Sequence, residues 1–271
     1  MKKEIILLSL VIALLHCSPA ISQRTYYGGS ITASLNSKVN FALKNLELNA
    51  GSEGTTITMF TSFTATGVTE ALKLLKDMIH DTKGIPLTIN IIDLNNLATS
   101  KQSVSTNQAV LYQIAISELH VDSSSAVTVS IVMKSAQVSV SNKITQDIKL
   151  NTSVAQKMIL KKNFALTMSG ISGGTITKIN PITITKPADI NSYPGTEFTI
   201  KITGDASSWQ NWYNTKDARF GQISIKAIDG NVIAKIDLKS VEISSYNTSI
   251  NLGGTSTTVG LKVKAAYIYI L

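Results

Sequence analysis

Apolar and polar residues alternate along most of this chain. The stretches 88–91, 127–131, 224–228 and 233–238 place an apolar, often β-branched residue at about every second position. Such alternation is typical of strands with one buried and one solvent-facing side. The many Ser and Thr residues suit the solvent-facing positions of a sheet. The pattern therefore predicts a mainly β protein.

One segment departs from this alternation. Between Gly67 and His80 the apolar residues recur at intervals of three and four, which is the spacing of one helix face. Glu70 near the start and Lys76 near the end suit the helix dipole. We expect an amphipathic helix whose packing residues against a sheet are Leu72, Leu75, Met78 and Ile79.

A second, shorter helix is predicted in the last third of the chain. Ser207 followed by Gln210 is typical of a capping box, in which the two side chains satisfy free amide donors. Trp209, Trp212 and Tyr213 then fall on one helix face. We interpret these aromatic residues as packing the helix onto its barrel. Ring stacking on a carbohydrate is the alternative.

The order of predicted elements occurs twice. The letters of Asn40-Phe41-Ala42-Leu43 return at residues 163–166, and each copy continues with a strand, a helix, a strand, a long strand and a closing strand. The long strand 110–121 aligns without a gap with 232–243, and the closing strands are 125–140 and 255–270. The stretch 97–108 looks like an insertion in the first copy. We interpret this agreement as a tandem duplication.

The duplication divides the chain into four parts. Residues 1–22 form a signal peptide, 23–140 the first β-domain, 141–159 a linker and 160–271 the second β-domain. The linker is polar and contains neither Gly nor Pro before residue 158, so we expect a structured connector.

The second copy carries a family resemblance. Its segment 163–173 resembles an opening strand that ends in a Gly-x-x-Gly turn, and 209–213 resembles a tail-tube helix. Segments 221–229, 232–243 and 257–270 resemble the final three strands. In this order the elements resemble the Hcp family, the tube protein of type VI secretion, and the related major tail-tube proteins of contractile phages. The resemblance covers about residues 36–140 and 160–270.

The resemblance implies two tandem small β-barrels or sandwiches, each with one helix packed on its sheet. Family members associate sheet to sheet into hexameric rings that stack into tubes, so a tandem chain would need three copies for a ring of six units. The implied partner is the chain itself, with secretion or surface machinery as a further partner. The alternative is a monomeric secreted β-sandwich binding module or adhesin, in which Tyr267, Tyr269 or Trp209 would be exposed to a ligand.

The N-terminus has the pattern of a signal peptide. Lys2 and Lys3 precede an eleven-residue apolar run, and small residues stand before a cleavage site at Gln23. We expect an exported protein that is periplasmic, on the cell surface or extracellular, with no later membrane span. Cleavage removes Cys17, the single cysteine of the chain, and with it any disulfide or thiolate site. Lipidation at Cys17 is the alternative.

The charge balance is basic, with 25 Lys and Arg against 17 Asp and Glu, a net charge of +8. No dense basic cluster with interleaved aromatic residues is present, so we expect no nucleic-acid partner. An anionic surface or polymer remains an open alternative.

Residues suited to catalysis are few. After cleavage the histidines are His80 and His120, and His120 with Glu118 lacks a third metal ligand nearby in the sequence. The glycine-rich segment 170–174 follows a predicted strand but has no helix behind it, so we interpret it as a turn, and neither as a nucleophile elbow nor as a phosphate-binding loop. We therefore predict a structural protein that is not an enzyme and holds no cofactor or metal.

Overall fold

The computed structural model describes residues 23–79, 83–92, 101–144, 146–150, 159–189, 192–251 and 254–271. The predicted signal peptide with Cys17, His80, and residues 145 and 151–158 of the predicted linker lie outside the described residues.

Strands dominate the structure. They account for 61% of the described residues and helices for 9%, which confirms the mainly β prediction. The strands of the first part of the chain are β1 Gln23–Leu35, β2 Val39–Gly51, β3 Gly54–Ser62, β4 Ile85–Ile92, β5 Lys101–Ile116, β6 Leu119–His120, β7 Thr128–Ser135 and β8 Ser139–Ser141. Those of the second part are β9 Phe164–Met168, β10 Thr175–Ile179, β11 Ile182–Thr185, β12 Thr196–Thr203, β13 Arg219–Lys226, β14 Val232–Asn251 and β15 Gly254–Ile270. Helix α1 is Val68–Met78 and helix α2 is Ser207–Thr215.

The first sheet closes into a six-stranded barrel. Its neighbour order is β1-β4-β5-β7-β3-β2 and back to β1, with every pair antiparallel. Side chains alternate between the interior and the surface along each strand, as a barrel requires. The buried interior residues include Ala33, Leu35, Phe41, Leu46, Leu48, Ile57, Met59, Ile89, Leu111 and Ile131.

The second sheet is a curled half-barrel. Its order is β6-β10-β12-β15-β14-β13-β9, so β9 and β10 lie near its two ends and do not pair with each other. The pairing of β14 with β15 continues from Ala234 and Ile270 to Asn251 and Gly254. This hairpin is the longest of the described elements.

The two parts of the chain exchange strands. β6, from the first part, pairs with β10 in the second sheet, and β11, from the second part, pairs with β5 in the first sheet. The buried apolar residues of both sheets form one continuous core. Each sheet therefore includes one strand from the other side of the predicted linker.

The described end of the linker lies against the barrel. The side-chain amide of Asn40 donates to the carbonyl oxygen of Lys149 at 2.9 Å, and that of Asn90 donates to the carbonyl oxygen of Gln146 at 2.6 Å. Residues 146–150 are thus held to the first barrel by hydrogen bonds from side chains to backbone.

Two sequence-based element boundaries were wrong. The predicted long strand 110–121 belongs to β5, which begins at Lys101 inside the predicted insertion 97–108 and ends at Ile116 before β6 begins. The predicted closing strand 125–140 is divided into β7 and β8. The alternation of apolar residues continues through these positions, but the chain passes from one sheet to the other after Ile116.

The two helix starts differ from each other. Gly67, at the start of α1, has a φ of 78°, and a Cβ atom there would collide with the backbone carbonyl oxygen of Asn40. The capping box predicted for α2 was wrong. Ala206 occupies the N-cap, and the backbone N–H of Ser207 donates to Asp205 Oδ1 at 2.9 Å. The Asp205 carboxylate satisfies the free amide because it lies two residues earlier, and the Ser207 amide hydrogen bond lowers the pKa of Asp205.

Candidate functional site

The apolar face of α1 lies between the two sheets. The helix contacts β2 and β5 of the barrel and β15 of the half-barrel. Its buried residues include the four named from the sequence, Leu72, Leu75, Met78 and Ile79. Burial of each such side chain contributes about 1.5–3 kcal/mol to folding. The contacts of α1 thus join the first part of the chain to the C-terminal strand.

The aromatic residues of α2 form a cluster beneath the helix. Trp212 is fully buried and Trp209 is 2% exposed, with their ring centroids 5.8 Å apart. The guanidinium carbon of Arg219 lies 5.2 Å from the centroid of the Trp212 ring. Because both indole rings are buried, neither is available for stacking on a carbohydrate.

Tyr213 connects α2 to the long hairpin. Its half-buried ring stacks on Tyr246 of β14, with centroids 5.8 Å apart and the planes inclined by 23°. The Tyr246 hydroxyl donates to the carbonyl oxygen of Ala206 at 3.4 Å. The three aromatic residues predicted to lie on one face are therefore brought together, two in the core and one against β14.

A cavity of about 270 Å³ lies where α1 approaches the end of β15. Its apolar lining includes Ile79, Ile114 and Ile184, from α1's C-terminal end, β5 and β11. Polar groups at the same cavity come from Lys76, Asp77, Tyr267 and Tyr269. An apolar cavity with a few polar groups is the usual form of a small-ligand site. Sequence reasoning missed this cavity because its walls come from four distant segments.

The tyrosines at this cavity have occupied ring faces. The Lys76 ammonium lies 5.9 Å from the ring centroid of Tyr269, and the Lys239 ammonium lies 4.8 Å from that of Tyr267. Tyr193 meets Tyr267 edge to face at 5.9 Å. A sugar ring that stacked on the same face as a lysine would have to displace that lysine. Burial raises the pKa of Tyr267, and the neighbouring tyrosines add to this, so its hydroxyl stays protonated at neutral pH.

His120 and Glu118 do not act as a pair. The Glu118 carboxylate contacts the Lys178 ammonium at 2.8 Å, and this hydrogen bond together with the positive charge lowers the pKa of Glu118. His120 Nδ1 instead accepts the backbone N–H of Asp122 at 3.2 Å. Among the described residues, no three His, Cys, Asp or Glu side chains converge as metal ligands would.

Comparisons with protein-family models and with curated protein sequences find no match to this chain. In the described part of the chain, no helix is both long enough and apolar enough to cross a membrane.

Proposed function

We propose that this protein is an exported structural protein that assembles from copies of itself. In this proposal the chain is a tandem duplication of an Hcp-like or tail-tube-like β-unit, and three chains close a ring of six units. Rings or stacked tubes of this kind need no catalytic centre, so the proposal includes no enzymatic activity and no cofactor.

The observation that carries the proposal is a common strand order in the two sheets. The barrel has the order β1-β4-β5-β7-β3-β2, and the half-barrel contains the order β9-β13-β14-β15-β12-β10. In the barrel, α1 joins β3, at the fifth position of this order, to β4, at the second. In the half-barrel, α2 joins β12, also at the fifth position, to β13, at the second. Six strands in one antiparallel order, with a helix in one place, favour duplication over chance.

The topology changes one detail of the proposed alignment. By letters, residues 40–43 of β2 match residues 163–166. By position in the sheet, β9 corresponds to β1, because each lies beside the strand that follows the helix. The duplication we propose therefore pairs β1 with β9 and β2 with β10.

The open half-barrel gives a physical reason for assembly. β9 pairs with β13 through Ala165 and Thr167, so the alternation of an antiparallel ladder directs the backbone groups of Phe164 and Leu166 away from β13. Closed barrels remove strand edges, whereas an open sheet leaves them for pairing with another chain. Association into a closed ring would cover such edges.

The deciding experiment is the mass of the purified exported protein in solution, measured over a wide concentration range and combined with negative-stain images. We expect a mass of three chains or a multiple of three, with six-lobed rings in the images. A single-chain mass at every concentration would overturn the ring.

The cavity beside Tyr267 supports a second candidate, a monomeric secreted binding module. Its walls come from both sheets, and it combines apolar lining with polar groups, as ligand sites do. A monomeric mass together with a glycan or small-molecule ligand that protects Tyr269 from chemical modification would favour this candidate over the ring.

A further inference from the structure

The far half of the β14–β15 hairpin contains no charged residue. Between Glu242 and Lys262 every residue is uncharged, and none is proline. This stretch therefore lacks the lysine and arginine residues, 25 in all, that occur elsewhere along the chain. Natural edge strands are usually protected against pairing by charges, especially lysine, or by proline. A long uncharged hairpin is therefore a candidate for contact with another chain.

One edge of this hairpin has no strand beside it. β13 pairs with β14 only as far as Val241, and in the described part of the chain no strand pairs with β14 on that side from Glu242 to Asn251. β15 differs, because β12 and β14 flank it along residues 256–263. The free edge is thus confined to β14, and its residues 247–250 are exposed.

The register of the hairpin tells which backbone groups face outward. Asn251 and Gly254 close a two-residue loop, so they form a hydrogen-bonded pair. Bonded and non-bonded pairs alternate along an antiparallel ladder. Asn247 and Ser249, paired with Thr258 and Ser256, therefore direct their backbone groups toward β15. Tyr246, Thr248 and Ile250 direct theirs toward the free edge.

The side chains of Tyr246, Thr248 and Ile250 form a self-complementary set that is centred on Thr248. Ile250 is 83% exposed, the highest exposure of any large apolar residue in the described chain. Tyr246 lies four residues before it, with its half-buried ring against Tyr213. If two such edges meet antiparallel about a two-fold axis at Thr248, each Ile250 lies directly opposite Tyr246 of the second copy. Pairs of an aromatic and a β-branched residue are favourable cross-strand neighbours.

We propose that the β14 edge from Tyr246 to Ile250 pairs antiparallel with the same edge of a second copy of this chain. The contact is isologous, with Thr248 opposite Thr248 and Ile250 opposite Tyr246. Because both edges are uncharged, their pairing brings no like charges together. The outward N–H and C=O groups of Tyr246, Thr248 and Ile250 gain hydrogen-bond partners on the second copy. This contact does not rest on the proposed ring, because a two-fold contact can join two rings or two single chains.

The first test places a single cysteine at the two-fold axis. In the full chain carrying Cys17→Ser, Thr248→Cys is compared with Thr258→Cys, which is exposed on the same hairpin but lies in β15, where both edges are paired. Directly opposed, hydrogen-bonded residues have Cα atoms about 5.5 Å apart, within disulfide range. We expect a mild oxidant to convert Thr248→Cys largely to a covalent dimer, while Thr258→Cys stays uncross-linked. Equal cross-linking of the two variants would overturn the proposal.

The second test adds a charge to the same edge. Thr248→Lys places two ammonium groups against each other across the axis, whereas Thr258→Lys adds the same charge to β15. We expect Thr248→Lys to halve the mass of whatever assembly the unmodified protein forms and to raise the dissociation constant of the two-fold contact at least tenfold, with Thr258→Lys unchanged. A Thr248→Lys protein that retains the unmodified mass would overturn the edge contact, and thermal unfolding of both variants verifies that they fold. A halved mass without any ring in the images would refute the proposed ring and leave this contact standing.

Discussion

The indole N–H of Trp212 donates to the backbone carbonyl oxygen of Asp217 at 2.7 Å. This bond closes the turn that follows α2, where Lys216 adopts a left-handed backbone and returns its N–H to the carbonyl oxygen of Trp212. Asp217 in turn contacts Arg219, the first residue of β13, at 3.1 Å. One buried aromatic residue thus fixes both the core beneath α2 and the start of the next strand.

Replacement of Trp212 by alanine should lower the free energy of unfolding by about 3–5 kcal/mol, the range for large aromatic core residues. The loss combines a cavity with the loss of a hydrogen bond to a backbone carbonyl. Denaturant unfolding followed by circular dichroism measures it. Phe220→Ala is the control, because Phe220 is 63% exposed and its truncation should have little effect. Equal stability of the two variants would contradict the packing role of Trp212.

Truncation of Leu75 should weaken the contacts of α1 with both sheets. Leu75 is fully buried, so Leu75→Ala should cost about 2–5 kcal/mol. Because α1 touches the barrel and β15, we expect one shifted transition for the whole chain. Lys73→Ala, on the exposed face of the same helix, should stay within about 0.5 kcal/mol of the unmodified protein. A Leu75→Ala variant as stable as Lys73→Ala would show that α1 does not join the sheets.

Alanine substitutions at two glycines distinguish the stability cost of backbone strain from that of a steric collision. Gly67 and Gly230 both have positive φ, 78° and 85°, but a Cβ at Gly67 meets the Asn40 carbonyl whereas Gly230 has open space around it. Gly230→Ala should cost about 1–2 kcal/mol from the left-handed conformation alone. Gly67→Ala should cost more, because the start of α1 must move away from β2. Equal melting temperatures for the two variants would contradict the close approach.

The ion pair between Glu118 and Lys178 should make stability depend on pH. Lys178 lowers the pKa of Glu118, so the stabilisation is present above the unfolded value of about 4.3 and is lost as pH falls through the folded pKa. Glu118→Gln should therefore be slightly less stable than the unmodified protein at pH 7, with the difference shrinking below about pH 4. The effect is small because both side chains are exposed by about a third or more, 40% for Glu118 and 34% for Lys178.

Thermal unfolding of both proteins at pH 7 and pH 3 measures this difference. Glu53→Gln, in the exposed turn between β2 and β3, is the control for loss of a carboxylate. A Glu118→Gln deficit that stays constant with pH would indicate a packing effect in place of the ion pair.

The sequence by itself determined the local structure of this protein. Alternation fixed the mainly β class because a half-buried strand exposes every second side chain. Apolar residues three and four apart placed α1, since only a helix brings them onto one face, and the observed helix Val68–Met78 lies inside the predicted segment. The burial of Leu72, Leu75, Trp209 and Trp212 follows from the same periodicity.

Only the tertiary structure decided which strands are neighbours. The apolar pattern runs on from β5 to β6, yet Ile116 pairs in the first sheet and Leu119 in the second. The alternation of apolar and polar residues shows which face of a strand is buried. It does not show which strand lies beside it, because the backbone hydrogen bonds are the same for every neighbouring strand. For that reason the closure of one barrel, the open edge of the other sheet, the pairing of Glu118 with Lys178 and the cavity beside Tyr267 became visible only in three dimensions.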